Sequence, residues 1–132
     1  MVYLRGRQFK YRFSFKSELK EDAVMVERVL FVCSGNIHRS PTAANMFKNR
    51  EGFEVKSAGT SFGVSNPVSA ELVQWADKIF VMEEEHREII VRQHPEAASK
   101  ITVLGIEDNY YRDDPQLKAA LKDKLESYFN SQ

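Results

Sequence analysis

The stretch Val29-Leu30-Phe31-Val32-Cys33-Ser34-Gly35-Asn36-Ile37-His38-Arg39-Ser40-Pro41 restricts the fold more than any other part of the chain. Four apolar residues in succession fit a short buried strand. Residues 41–48 fit a helix with Ser40 as its cap and a proline in its first turn. A thiol is therefore expected where strand gives way to helix. The unpaired N–H groups and the positive end of the helix dipole make that point an anion site, and the same field favours thiolate over thiol. Ser34 and Gly35 are small enough for the backbone to curl until successive N–H groups converge on three oxygens. Arg39, six positions after Cys33, can fold back and offer its planar fork to a phosphate held above the sulfur. The Ser40 hydroxyl can donate to that sulfur. Ser34, Gly35, Asn36, Ile37, His38, Arg39 and Ser40 thus form the candidate phosphate-binding segment.

The rest of the composition narrows the setting. With 132 residues, a single domain with one real core is expected. Nineteen Lys or Arg balance nineteen Asp or Glu, a formal charge of +0 that gives no global pull toward nucleic acid or membrane. No apolar run approaches the roughly 18 to 20 residues that span a bilayer, and no signal-peptide pattern opens the chain, so a soluble cytoplasmic protein is expected. The single cysteine excludes an internal disulfide and any mechanism that needs a second internal thiol, and it fits a reducing compartment. A lone cysteine by itself is more often a small buried hydrophobe than a nucleophile. Here its loop supplies the case for a nucleophile.

The sequence from Val29 to Ala43 resembles the phosphate-binding loop of the low-molecular-weight protein tyrosine phosphatases. Ser57-Ala58-Gly59-Thr60 and Glu107-Asp108-Asn109-Tyr110-Tyr111 resemble two further segments of that family, in the right order. The likeness covers about residues 27 to 130, with a middle shorter than in typical members. It implies a phosphatase-like domain over 25–132, preceded by an extension over 1–24. It also implies that Asp108 is the general acid and that Tyr110 and Tyr111 form part of the pocket wall. The family's usual proline after that aspartate is replaced by Asn109, so Asp113 and Asp114 remain lesser candidates, with Asp114 before Pro115 also readable as a helix cap. His38 occupies a position where some members carry a second, protective cysteine, so Cys33 is expected to be vulnerable to peroxide. That histidine can add charge to the anion site at low pH or simply face solvent.

Residues 1–24 differ in character from the remainder of the chain. Phe9, Tyr11, Phe13 and Phe15 alternate with Lys10, Arg12, Ser14 and Lys16, the period-2 pattern of a strand with one aromatic and one basic face. Six Lys or Arg stand against three Asp or Glu there, so an extra edge strand and a basic arm both fit. Interleaved aromatic and basic residues can bind single-stranded nucleic acid, but a strand separates the two kinds onto opposite faces, and no nucleic-acid partner is expected.

Beyond the loop, residues 52–57 read as a second strand, 78–82 as a third and 101–104 as a fourth. A helix begins at Asn66-Pro67 with Val68, Leu72 and Trp75 on one face. Another opens with the acidic run at Glu83, and a last one begins at Asp114-Pro115 with Leu117, Leu121, Leu125 and Tyr128 inward. Strands alternate with helices, so the expected fold is α/β: a four-stranded parallel sheet in the order 2-1-3-4, covered by helices on both faces. The segment after the second strand lies at the ligand-binding end of such a sheet and brings Phe62 forward as a further pocket wall. His86 and His94 lie two turns apart without a third ligand, and the acidic run reads as a solvated cap. No metal and no cofactor are expected.

Together these features point to a phosphomonoester hydrolase, a protein tyrosine phosphatase above all. Cys33 is its nucleophile and forms a cysteinyl phosphate, Arg39 and the loop bind phosphate, and Asp108 is the acid. Its substrate is a phosphotyrosine protein or a small aryl phosphate, since aromatic walls favour a phosphate on a flat ring. Two other readings stay open: an arsenate reductase of the same fold using an external thiol, and a noncatalytic phosphate-binding regulatory protein. A nucleotide kinase is not expected, since the loop lacks the Gly-Lys-Ser/Thr ending.

Overall fold

The computed structural model describes the backbone of residues 2–4, 7–14 and 20–130 and the side chains of residues 26–130. Its strands are β1 (Val2–Leu4), β2 (Arg7–Ser14), β3 (Lys20–Cys33), β4 (Phe53–Gly59), β5 (Lys78–Val81) and β6 (Ile101–Val103). Its helices are α1 (Arg39–Phe47), α2 (Ala70–Trp75), α3 (Glu84–Gln93) and α4 (Pro115–Asn130), with a 3-10 helix at Pro95–Lys100.

Four strands run parallel in the spatial order β4-β3-β5-β6, which is the 2-1-3-4 order expected from the sequence. The strand at the centre is longer than the four-residue apolar run that marks it in the sequence. Over its second half β3 pairs with β4 and β5, and over its first half it pairs antiparallel with β2, which in turn pairs with β1. The boundary expected after residue 24 therefore falls inside one continuous strand. The aromatic and basic faces expected in residues 9–16 lie outside the described side chains.

The apolar run of β3 is explained by burial on both faces. Val29, Phe31 and Cys33 point to one side and join Phe47 of α1 and Leu117, Leu121, Leu125 and Phe129 of α4. Leu30 and Val32 point to the other and join Val73 and Ala76 at α2 and Ile90 of α3. On the first face Phe47 and Phe129 stack at 4.1 Å between centroids and 8° between planes. The apolar stripe of α4 closes with Phe129, four residues after Leu125, whereas the sequence pattern favours Tyr128. Tyr128 instead packs at the rim against Phe53 and Phe80, where its hydroxyl can donate to the Glu27 carboxylate.

The second helix also starts later than expected. Pro67 bridges to Gly59 in extended backbone, Ser69 caps α2 by accepting the Leu72 N–H, and Val73 and Ala76 become the fully buried positions. Val68, Leu72 and Trp75 pack against that cluster from its edge. Among the described residues no helix is long and apolar enough to cross a membrane.

Candidate active site

The loop between β3 and α1 is five residues long, and its tightness comes from Asn36, which sits in the left-handed region at φ 55°. Asparagine tolerates that region better than most residues. The turn brings the Asn36 N–H to Cys33 Sγ at 3.2 Å. It also starts α1 at Arg39, so Ser40 falls within the first turn and is not the cap that its residue type leads one to expect. Its hydroxyl turns inward instead, 3.0 Å from Cys33 Sγ and 2.9 Å from Asn36 Oδ1. One hydroxyl proton cannot serve both. When the sulfur is ionised the proton belongs to Sγ, and an Asn36 amide rotated by half a turn then donates to Ser40 Oγ. Cys33 is 3% exposed, and it lines a cavity of about 140 Å³ with Gly35, Ile37, His38, Arg39 and Asp108. At about 30 Å³ per water, that is room for a tetrahedral anion.

Two parts of the scaffold hold the loop in shape. Ser61 N donates to Ser34 O at 2.9 Å and Thr60 N to Cys33 O at 3.0 Å. At Gly59 an added Cβ would lie 2.6 Å from Ser34 O, so only glycine lets β4 pass this close. On the other side, buried His86 lies 2.8 Å from Ser34 Oγ through Nε2, while its Nδ1 accepts the Glu83 N–H at 3.0 Å. An Nδ1 that accepts leaves the proton on Nε2, so the imidazole is neutral and donates to the serine. With both nitrogens engaged, the cluster of Glu83, Glu85 and His86 has no free imidazole lone pair for a metal.

Arg39 is 1% exposed, and its Nη1 donates to Glu83 Oε1 at 2.6 Å and to Ile106 O at 2.7 Å. Its Nε lies 3.7 Å from Asp108 Oδ1, and that carboxylate is well exposed. With Nη1 engaged by Glu83 and Ile106, the Nε–Nη2 edge is the one left to meet two oxygens of a bound phosphate.

The other expected residues separate clearly. Tyr110 and Tyr111 line a second cavity of about 350 Å³ with His38, Asp108 and Asn109, so the two cavities share His38 and Asp108. Phe62 lines neither cavity: its side chain is fully exposed on the loop after β4, which departs from the expected third wall. Asp114 Oδ1 accepts the Gln116 N–H at 2.8 Å and so acts at the start of α4. Asp113 stands at φ 61° with its N–H donating to Thr42 Oγ1 at 2.9 Å.

Glu83 and His86 are site residues that the sequence pattern alone does not mark, since the acidic run reads as a solvated helix start. That description fits the exposed Glu84 and Glu85. The available signal is His86 three residues after Glu83, the spacing at which a helix's first side chains reach back to its entry.

Burial, and then the positive charge of Arg39, holds the His86 pKa below its ordinary value of 6.5. The unfolded chain therefore binds a proton that the folded one refuses. This contribution to stability is complete above about pH 6.5 and is lost as pH falls toward the folded-state pKa. The melting temperature is expected to drop less between pH 7 and pH 5 in His86→Gln than in the wild type. Parallel curves in thermal melts would rule that out.

The fold and site define a class: a parallel α/β protein with one thiol at the mouth of a phosphate-sized loop, faced by a buried arginine and an exposed aspartate. Comparison with known proteins narrows the class. The family model for low molecular weight phosphotyrosine protein phosphatase matches residues 28–68. A protein-arginine-phosphatase from Geobacillus stearothermophilus is 34% identical over 104 residues, covering 61% of this chain and 70% of the relative. The solved YwlE arginine phosphatase from the same organism aligns with a TM-score of 0.62 at 28% identity, over 79% of this chain and 88% of that one. A low molecular weight protein tyrosine phosphatase from T. tengcongensis aligns at 0.66 and 25% identity, over 80% and 99%. The chain belongs to the low molecular weight phosphotyrosine protein phosphatase family, and is a phosphatase of that type.

Proposed function

We propose that the protein hydrolyses phosphate monoesters of aromatic hydroxyls, phosphotyrosine in a protein or a small aryl phosphate, through a cysteinyl-phosphate intermediate. The observation that carries this reading is the convergence on Cys33 Sγ of the Asn36 N–H and the Ser40 hydroxyl, beside a cavity that also presents Arg39 and Asp108. Two donors on one sulfur suit a thiolate, both as attacking group and as leaving group.

In the first step the Cys33 thiolate attacks phosphorus, the S–P bond forms and the P–O bond to the ring breaks, with the Asp108 carboxylic acid giving its proton to the departing oxygen. In the second step the Asp108 carboxylate takes a proton from water, which attacks phosphorus as the S–P bond breaks and phosphate leaves. Throughout, the loop N–H groups and the Nε–Nη2 edge of Arg39 hold the equatorial oxygens. Tyr110, Tyr111 and the half-exposed Ile37 offer a flat, mostly apolar rim. The activity is assigned to residues 25–132, with residues 1–24 as an accessory segment. The lone thiol suits a reducing compartment such as the cytoplasm.

The relative from Geobacillus stearothermophilus favours a second reading, hydrolysis of phosphoarginine. The test is phosphate release from one peptide carrying either phosphotyrosine or phosphoarginine. A kcat/KM at least about tenfold higher for phosphotyrosine is expected. The reverse ratio would transfer the assignment to arginine, and binding of phosphate with no release from either peptide would leave a noncatalytic receptor.

A further inference from the structure

Asp108 lies on an exposed loop that runs from the end of the sheet to α4, and a general acid on such a loop acts only if something fixes its approach. One end of the loop is fixed at Ile106, whose N–H donates to Met82 O at 2.8 Å and whose carbonyl accepts from Arg39. The other end is fixed on the phosphate loop itself. Arg112 N donates to His38 Nδ1 at 3.1 Å and Arg112 Nε donates to Ile37 O at 2.6 Å. One residue on, Asp113 N donates to Thr42 Oγ1, and that hydroxyl donates to His38 O at 2.6 Å. The His38 ring also stands edge-on to Tyr111, 5.6 Å between centroids. Between the two anchors, Asp108 meets Arg39 at 3.7 Å.

Resting on the phosphatase reading, we propose that His38 is a positioning residue for the general acid. Its Nδ1 accepts the Arg112 N–H and so joins the loop that delivers the proton to the loop that holds the phosphate. The bond requires the neutral tautomer with the proton on Nε2. Without the acceptor, the Arg112 N–H loses its partner, and the Arg112 end of the loop keeps only the bonds of Arg112 Nε to Ile37 O and of Asp113 N to Thr42 Oγ1, a looser hold on the approach of Asp108. Cys33, Asn36, Ser40 and Arg39 keep their mutual contacts, none of which uses the imidazole.

The signature is dependence on the leaving group. A phenol as weakly acidic as tyrosine, pKa about 10, needs its proton during P–O cleavage, whereas a strongly acidic nitrophenol departs as the anion without help. The experiment measures kcat/KM, which reports the first chemical step, for phenyl phosphate and for dinitrophenyl phosphate in the wild type, His38→Ala and His38→Asn. An asparagine side chain puts an acceptor oxygen close to the Nδ1 position. The ratio of the phenyl to the dinitrophenyl value is expected to fall about tenfold in His38→Ala and to return to within about twofold of wild type in His38→Asn. Inorganic phosphate, used as a competitive inhibitor, reports the integrity of the phosphate loop. An equal loss for both substrates, or a ratio unchanged by the alanine, would overturn the positioning role while leaving the phosphatase reading intact. Absence of aryl phosphate turnover in the wild type would remove that reading and this proposal with it.

Discussion

Replacing Cys33 by serine is expected to lower kcat for an aryl phosphate by about 10⁴-fold or more, with phosphate affinity within a few-fold of wild type. The two side chains are close in size, and a hydroxyl can occupy the same place between the Asn36 N–H and the Ser40 Oγ. What changes is the chemistry. A serine hydroxyl is far less acidic than a thiol, and the groups that touch this position, the Asn36 N–H and the Ser40 hydroxyl, are hydrogen-bond donors that do not take its proton. Steady-state hydrolysis, with phosphate inhibition measured beside it, separates the two effects. Because this is the chain's single cysteine, activity persisting at one part in a hundred would mean that another side chain is the nucleophile.

Asp108→Asn is expected to lower kcat/KM for phenyl phosphate by about 10² to 10⁴, the range over which a positioned acid contributes, and to do much less for a strongly acidic phenol. The substitution is isosteric, so it removes the proton donor and the 3.7 Å ion pair with Arg39 while leaving the loop anchored at Ile106 and Arg112. Asp114→Asn supplies the control. Its carboxylate accepts a backbone N–H at the start of α4, a duty that asparagine performs about as well, and rates within about twofold of wild type are expected. If Asp108→Asn stays within about threefold on phenyl phosphate, the acid is elsewhere.

The parallel part of the fold was legible because its four strands and the helices between them carry local signals, and the alternation of the two leaves few topologies open. The two-faced burial of β3 was readable from Val29 to Val32, since a strand covered on both sides has no polar alternation. The length of β3 was not, because the sequence carries no mark of where its antiparallel half passes into its parallel half. At the site, Cys33 and Arg39 are separated by six positions and joined by one loop, so spacing sufficed. Glu83 and His86 reach the same loop from the far side of β5, more than forty residues along the chain. Only the tertiary fold brings them there. Ser40 shows the limit of local rules. Its residue type predicts a cap, and the left-handed turn at Asn36 moves the helix start ahead of it.

The bond between Glu27 and Tyr128 joins residues 101 positions apart, and the stacked pair of Phe47 and Phe129 closes the same face on which Cys33 lies. Contacts that distant are assembled late, because the entropy of closing the intervening loop must be met before they form. In chain order the Cys33 thiol comes long before α4, the helix whose Leu117, Leu121, Leu125 and Phe129 pack on the same face. A chain lacking α4 would carry the same loop residues with the face of β3 on which Cys33 lies left uncovered.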